Sequence, residues 1–162
     1  MLSSRSIFTY LIFFILLGCN FKSSYVLNQN DKNSLNEIVF AKPSDKMAYK
    51  FFHHVPERLK NNEAAKYILS YSIDISEPDI SLKTDLTKNR TKIKGELKYQ
   101  VIPSQSFEPL LSGKITDLTS FSKVASDVAN NAAKLDAENR LLILLVEQTV
   151  DELVMLKHRG IF

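Results

Sequence analysis

The chain has 162 residues, room for one ordinary domain and too little for two. With 44% apolar and 24% charged residues it has the composition of a globular protein rather than a disordered or fibrous one. Its net charge of +3 is too small to mark a nucleic-acid binder, and a single cysteine excludes an internal disulfide and any cysteine-rich metal site.

The first segment, Met1–Ser6, carries one charged side chain, Arg5, and Ile7–Leu17 (IFTYLIFFILL) is an uncharged apolar run. A basic start, a short apolar core and a small residue at its end form the layout of a secretory signal. The run falls short of the ~20 residues that a helix needs to cross a bilayer, which leaves an uncleaved membrane anchor as the alternative. Leu16-Leu17-Gly18-Cys19 resembles the bacterial lipobox, in which the cysteine is alkylated with a diacylglycerol and becomes the new N-terminus. A thiolate is the nucleophile such an alkylation requires, and Gly18 leaves room for the peptidase. The resemblance implies a signal peptide at 1–18 and a lipid-anchored segment at 19–36, with lipidation at Cys19. Asn20 stands where an Asp would resemble an inner-membrane retention signal, so the expected address is the periplasmic side of the outer membrane.

The remaining domain is expected at 37–162. Asn28–Asn36 is polar and reads as a loop, and Glu37–Phe40 reads as a short strand. Pro43-Ser44-Asp45 supplies helix-start chemistry, with Ser44 or Asp45 able to cap free N–H groups. Ala48, Phe51, Phe52, Val55 and Leu59 follow at helical spacing, but Pro56 lacks an N–H and clashes with the preceding turn, so a break is expected there.

Ala65–Ile75 places Tyr67, Leu69, Tyr71, Ile73 and Ile75 on one face of a strand. Thr91–Ile102 alternates more cleanly. Ile93, Leu97, Tyr99 and Val101 face one way, and Lys92, Lys94, Glu96, Lys98 and Gln100 the other, the signature of a strand covered on one side only. Leu110–Leu118, with Gly113 inside it, is a weaker third strand, and three in sequence imply an antiparallel meander. From Phe121 the period changes. Val124, Ala125, Val128, Ala132, Leu135, Leu142, Leu145, Thr149 and Leu153 recur at helical steps, predicting one helix from about Lys123 to His158 that Gly160 stops. Its middle, RLLILLVEQ, is apolar around much of its circumference, so it is buried on more than one side or meets a partner. The predicted fold class is α+β: an approximately four-stranded, mostly antiparallel sheet with two helices packed on one face, one of them a long C-terminal helix.

No enzyme chemistry is visible. His53 and His54 point in different directions on a helix, His158 belongs to a helix end, and HExxH, GxSxG, P-loop and dinucleotide motifs are absent. Asp74, Glu77 and Asp79 lie near a turn, where solvated acids are the common case. The expectation is a protein without catalytic residues, metal or cofactor. One patch does carry chemistry. Arg90, Lys92, Lys94 and Lys98 share a strand side, with Lys83 and Lys88 in the loop before it. Same-face neighbours stand about 7 Å apart along a strand, so these cations can share a multivalent anion. Lysines that blunt a sheet against aggregation would look the same.

The chain beyond the leader resembles the LPS-assembly lipoprotein family (LptE-like) in its alphaproteobacterial form. Cys19-Asn20-Phe21-Lys22 and Tyr25 resemble the family's opening, although Asn20 replaces a Gly and Ser23-Ser24 replace a Pro-Leu. Ile38–Leu59 holds the place of its first strand and helix. Thr91–Tyr99, preceded by Arg90, resembles its alternating strand. Thr119-Ser120-Phe121-Ser122, Val124-Ala125-Ser126, Ala133 and Asp136-Ala137-Glu138-Asn139-Arg140 resemble its entry into the last helix. The resemblance implies two helices on a four-stranded sheet, an LptD-like β-barrel partner, and binding of lipopolysaccharide for insertion into the outer leaflet. It implies no enzymatic activity, and the small net charge gives no reason to expect a nucleic-acid partner. It makes Arg90, Lys92, Lys94 and, by face, Lys98 the candidates for contact with the glycolipid. Two competing readings are a lipoprotein of a phospholipid or ABC-type envelope transport system, which needs an apolar cleft, and an envelope hydrolase, which needs a nucleophile and base.

Overall fold

A computed structural model describes residues 35–78, 90–106 and 108–162. The leader, Cys19, Lys83 and Lys88 lie outside the described residues. Strand β1 (Ile38–Phe40) is followed by helix α1 (Lys46–His54), a single 3-10 turn (Glu57–Leu59) and strands β2 (Tyr67–Ser76), β3 (Arg90–Pro103) and β4 (Leu111–Ser122). Helix α2 (Asp127–His158) closes the chain. The four strands lie in sequence order in one sheet. β2, β3 and β4 form the expected antiparallel meander, and β1 runs parallel to β2, with α1 as the crossover between them.

Local chemistry sets the element ends. The Asp45 carboxylate accepts the N–H groups of Met47 and Ala48, both at 2.8 Å, and so caps α1. The helix stops at Val55, one residue before Pro56, as the missing N–H demands. α2 ends with Gly160 at φ +71°, a conformation open to glycine and costly to other residues.

The start of α2 corrects the sequence reading. The helix was expected from about Lys123, but it begins at Asp127 with Ser126 as its cap. The strand's period of two persists instead: Ile115, Asp117, Thr119 and Phe121 alternate along β4, and Phe121 is buried opposite Thr91. The apolar spacing also misassigned Val124, Val128 and Leu135, which are 56%, 81% and 58% exposed. The geometry of α2 explains the first two. Leu141 and Leu145 sit over Gly95, where an added Cβ would lie within 3.1 Å of them. From Gly95 the sheet runs about 17 Å to Arg90, a distance that α2 covers in about 11 residues. The turns before about residue 132 therefore overhang the sheet end.

Both helices pack on one face of the sheet. The core joins Phe40, Phe51, Leu69, Ile93, Leu97, Val101, Leu141, Leu145 and Leu153, and Leu35 in the turn before β1 is fully buried within it. The apolar middle of α2 is mostly consumed here, although Ile143 and Leu144 remain 36% and 39% exposed. Lys50–Glu138 at 3.5 Å and His54–Asn139 at 2.8 Å join α1 to α2.

Gly113 has a packing role. It lies directly opposite Tyr99, whose ring covers the space that a Cβ would fill. Tyr99 is buried, and burial together with a hydrogen bond to Glu152 holds its phenol protonated far above the ordinary range. A Gly113→Ala change must displace this ring. We expect a loss of about 1–3 kcal/mol, the usual cost of overpacking, read as a lower urea midpoint. An unchanged midpoint would show that the ring moves freely.

An ion-pair clasp fastens the opposite end of the domain. Glu37, beside β1, reaches Lys66 at 2.5 Å and Lys157 near the end of α2 at 3.0 Å. The bond to Lys66, and then that to Lys157, holds the Glu37 carboxyl below its ordinary value of 4.5. A carboxyl lowered in the folded state stabilises fully above its unfolded value and loses that contribution as the pH falls through the folded one. Glu37→Gln should therefore lower the denaturant midpoint at pH 7, and the gap from the parent should close as the pH falls below about 4. A gap that is constant with pH would mean that the charge plays no part.

Candidate anion-binding face

With both helices on one side, no described element covers the other face of the sheet. β3 presents Arg90, Lys92, Lys94, Glu96, Lys98 and Gln100 there, by the alternation that sends Ile93, Leu97, Tyr99 and Val101 into the core. The four cations expected to share a side do so. Pairing across the sheet adds residues that the sequence alone did not assign to this face. Lys114 of β4 lies directly opposite Lys98, Asp74 of β2 opposite Glu96, and Ser120 and Ser122 opposite Lys92 and Arg90. The missing information was the register, since a shift of one residue would have turned Lys114 inward.

Glu96 is the centre of this arrangement. Its carboxylate meets Lys114 at 2.9 Å, Lys94 at 3.3 Å and Lys98 at 3.6 Å. Lys114, closest of the three, does most to hold the Glu96 carboxyl below its ordinary range, and Lys94 adds to it. A single carboxylate cannot neutralise three ammonium groups, and each lysine keeps donors free for another acceptor. Among the described residues, Arg90 and Lys92 make no ion pair. The face thus carries Arg90, Lys92, Lys94, Lys98 and Lys114 against Asp74 and Glu96.

Small side chains beside Lys98 leave a shallow depression of about 730 Å³, with Ser70 and Ser72 on one side and Ser112 and Gly113 on the other. Its rim is Lys98, Lys114 and Gln100. Ammonium groups over hydroxyl donors suit a phosphate, which accepts several charge-assisted hydrogen bonds at once. Lysine here acts as a point charge, while Arg90 at the sheet end offers the planar fork.

A larger open groove of about 1230 Å³ runs along α2, where Ile143, Leu144 and Met155 alternate with Glu147 and Asp151, and is also lined by Pro56, Arg58 and Ile115. It mixes apolar and acidic groups with the basic Arg58, Lys114 and Arg159, and it is open rather than enclosed. Among the described residues no group of three or more His, Cys, Asp or Glu is placed to hold a metal ion, and no helix is long and apolar enough to cross a membrane.

No protein-family model matches the sequence, and no curated protein does. Solved structures do share the fold. A protein of Caulobacter crescentus CB15 assigned as a lipoprotein aligns with a TM-score of 0.62 at 13% identity, over 78% of this chain and 95% of that one. A minor lipoprotein of Acinetobacter baumannii aligns at 0.51 and 12% identity, over 74% and 90% of the two chains. Rare lipoprotein B of Shewanella oneidensis aligns at 0.51 and 10% identity, over 76% and 96%. This chain therefore has a two-helix, four-stranded α+β fold that also occurs in proteins named as bacterial lipoproteins.

Proposed function

We propose that the chain is an outer-membrane lipoprotein, anchored on the periplasmic side through Cys19, that partners an LptD-like β-barrel and binds lipopolysaccharide on its way to the outer leaflet. The observation that carries this reading is the open sheet face, where five cations surround two carboxylates beside a hydroxyl-lined depression. The lipobox-like Leu16–Cys19 and a fold shared with three proteins named as lipoproteins support the anchor.

The mechanism is electrostatic exchange without covalent chemistry. Lipid A phosphates are bridged by divalent cations in aggregated glycolipid. Lys94, Lys98 and Lys114 already share one carboxylate, so an arriving phosphate competes with Glu96 for donors that are in place. Arg90 and Lys92 extend the row along the strand, giving spaced contacts for more than one phosphate. Replacing the bridging cations separates one glycolipid from its neighbours.

The test is affinity purification of the tagged, lipidated chain from detergent-solubilised outer membranes, with mass spectrometry of what accompanies it. A large β-barrel protein together with lipopolysaccharide is the expected result. Recovery of inner-membrane transporter subunits instead would overturn this function in favour of phospholipid transport.

A further inference from the structure

Beyond the face just described, and sharing Arg90 and Lys92 with it, one end of the described part of the molecule brings exposed apolar and cationic groups together. At the Arg90 end of the sheet, Val124 and Val128 are 56% and 81% exposed, and Leu118, 54% exposed, lies farther up the open face opposite Lys94. The turn that carries Val124 is fixed. Its N–H donates to the Asn130 side chain at 2.8 Å, and the Asn130 amide donates back to its carbonyl at 2.9 Å, so Val124 is held against the first turns of α2. Lys123 precedes it, and Arg90 and Lys92 pair with Ser122 and Ser120 just before it. Glu77 meets Lys134 at 2.5 Å and also feels the charge of Lys123, so among the described residues Arg90, Lys92, Lys123 and Lys134 stand at this end with Glu77 and Asp127.

We propose that this end of the domain is a membrane-contacting lip. Val124 and Val128 enter the boundary between headgroups and acyl chains of an anionic bilayer, and Arg90, Lys92 and Lys123 bind the lipid phosphates around them. Apolar side chains rimmed by cations fit that boundary, because the two contacts require no separate surface and reinforce each other. Juxtamembrane lysines and arginines are drawn to an anionic surface, and the described cations at this end outnumber its described acids. The tether permits this orientation. The described chain starts at Leu35, near the pairing of Ile38 with Tyr67, and Tyr67 pairs with Pro103 at the other end of β3. The sheet therefore separates Leu35 from the lip by about 43 Å, while the sixteen steps from Cys19 to Leu35 reach about 53 Å when extended. An anchor at one end and a lip at the other would lay the domain along the bilayer.

This inference rests on acylation of Cys19, and the experiment separates the two. The lipidated full chain with Val128→Cys is placed in vesicles of phosphatidylglycerol and phosphatidylethanolamine and labelled with an environment-sensitive thiol dye. Cys19 is the only native cysteine, and its acylated sulfur takes no label. Blue-shifted emission and quenching by nitroxide lipids are expected at residue 128. Little quenching is expected for the same label at Met155→Cys, and quenching at 128 should fall when Arg90→Glu, Lys92→Glu and Lys123→Glu are combined. Protein that floats with the vesicles while the dye at 128 stays in water would overturn the lip. So would burial of the dye only after a β-barrel is added, which would assign the surface to a protein partner. Protein that fails to float overturns the anchor and the lip together.

Discussion

Replacing Phe51 by alanine should cost about 3–5 kcal/mol, the range for truncating a buried aromatic side chain. Phe51 is fully buried, and its ring lies 5.0 Å from Tyr71 and 6.3 Å from Phe40, centroid to centroid. It is where α1 meets the sheet. Its loss opens a cavity beside Tyr71, whose hydroxyl is buried without a hydrogen-bond partner and whose pKa burial pushes up to about 12. Water entering the cavity could satisfy that hydroxyl and recover part of the loss. Domains of this size are stable by only about 5–15 kcal/mol, so the change takes a large share of the total. Urea unfolding should show a much lower midpoint at similar slope. Tyr49→Ala on the same helix, at a residue 66% exposed, should stay within about 0.5 kcal/mol. Equal losses at the two positions would mean that α1 is not held by the aromatic cluster.

Reversing Arg90, Lys92, Lys94 and Lys98 to glutamate together should weaken lipopolysaccharide binding by about ten- to a hundredfold at low salt. Exposed charge contacts are worth roughly 0.2–1 kcal/mol each, so four sum to about 0.8–4 kcal/mol, and the middle of that span is ten- to a hundredfold at 1.4 kcal/mol per tenfold. The substituted side chains stand on the solvent side of β3, so the core under them is untouched. At 1 M salt the Debye length shrinks to about 3 Å, and most of the difference should vanish. Lys42→Glu with Lys46→Glu, off the open face, should leave binding within about twofold. Affinity unchanged by the four reversals at low salt would remove this face from glycolipid recognition.

Side-chain alternation made most of the fold legible in the sequence. β3 announced both of its faces through Ile93, Leu97, Tyr99 and Val101 against its lysines, because a half-covered strand must alternate. Pro56 marked the break after α1 for an equally local reason. Features that depend on distant pairing were not legible. Lys114 joins the candidate site only through its register with Lys98, and Glu37 finds Lys157 across 120 residues. The N-terminal turns of α2 misled for a related reason. Val124 and Val128 fit the apolar period, yet the sheet ends before it can cover them. Their exposure became visible only with the lengths of helix and sheet side by side, and it is the basis for the membrane-contacting lip.

The measurement that bears most directly on this account is intact-mass and peptide mass spectrometry of the chain isolated from its native membrane. The account predicts a mature N-terminus at Cys19 that carries a thioether-linked diacylglycerol, with residues 1–18 absent. A free Cys19 thiol, or a chain that still begins at Met1, would contradict it and leave the cationic sheet face without an outer membrane to serve.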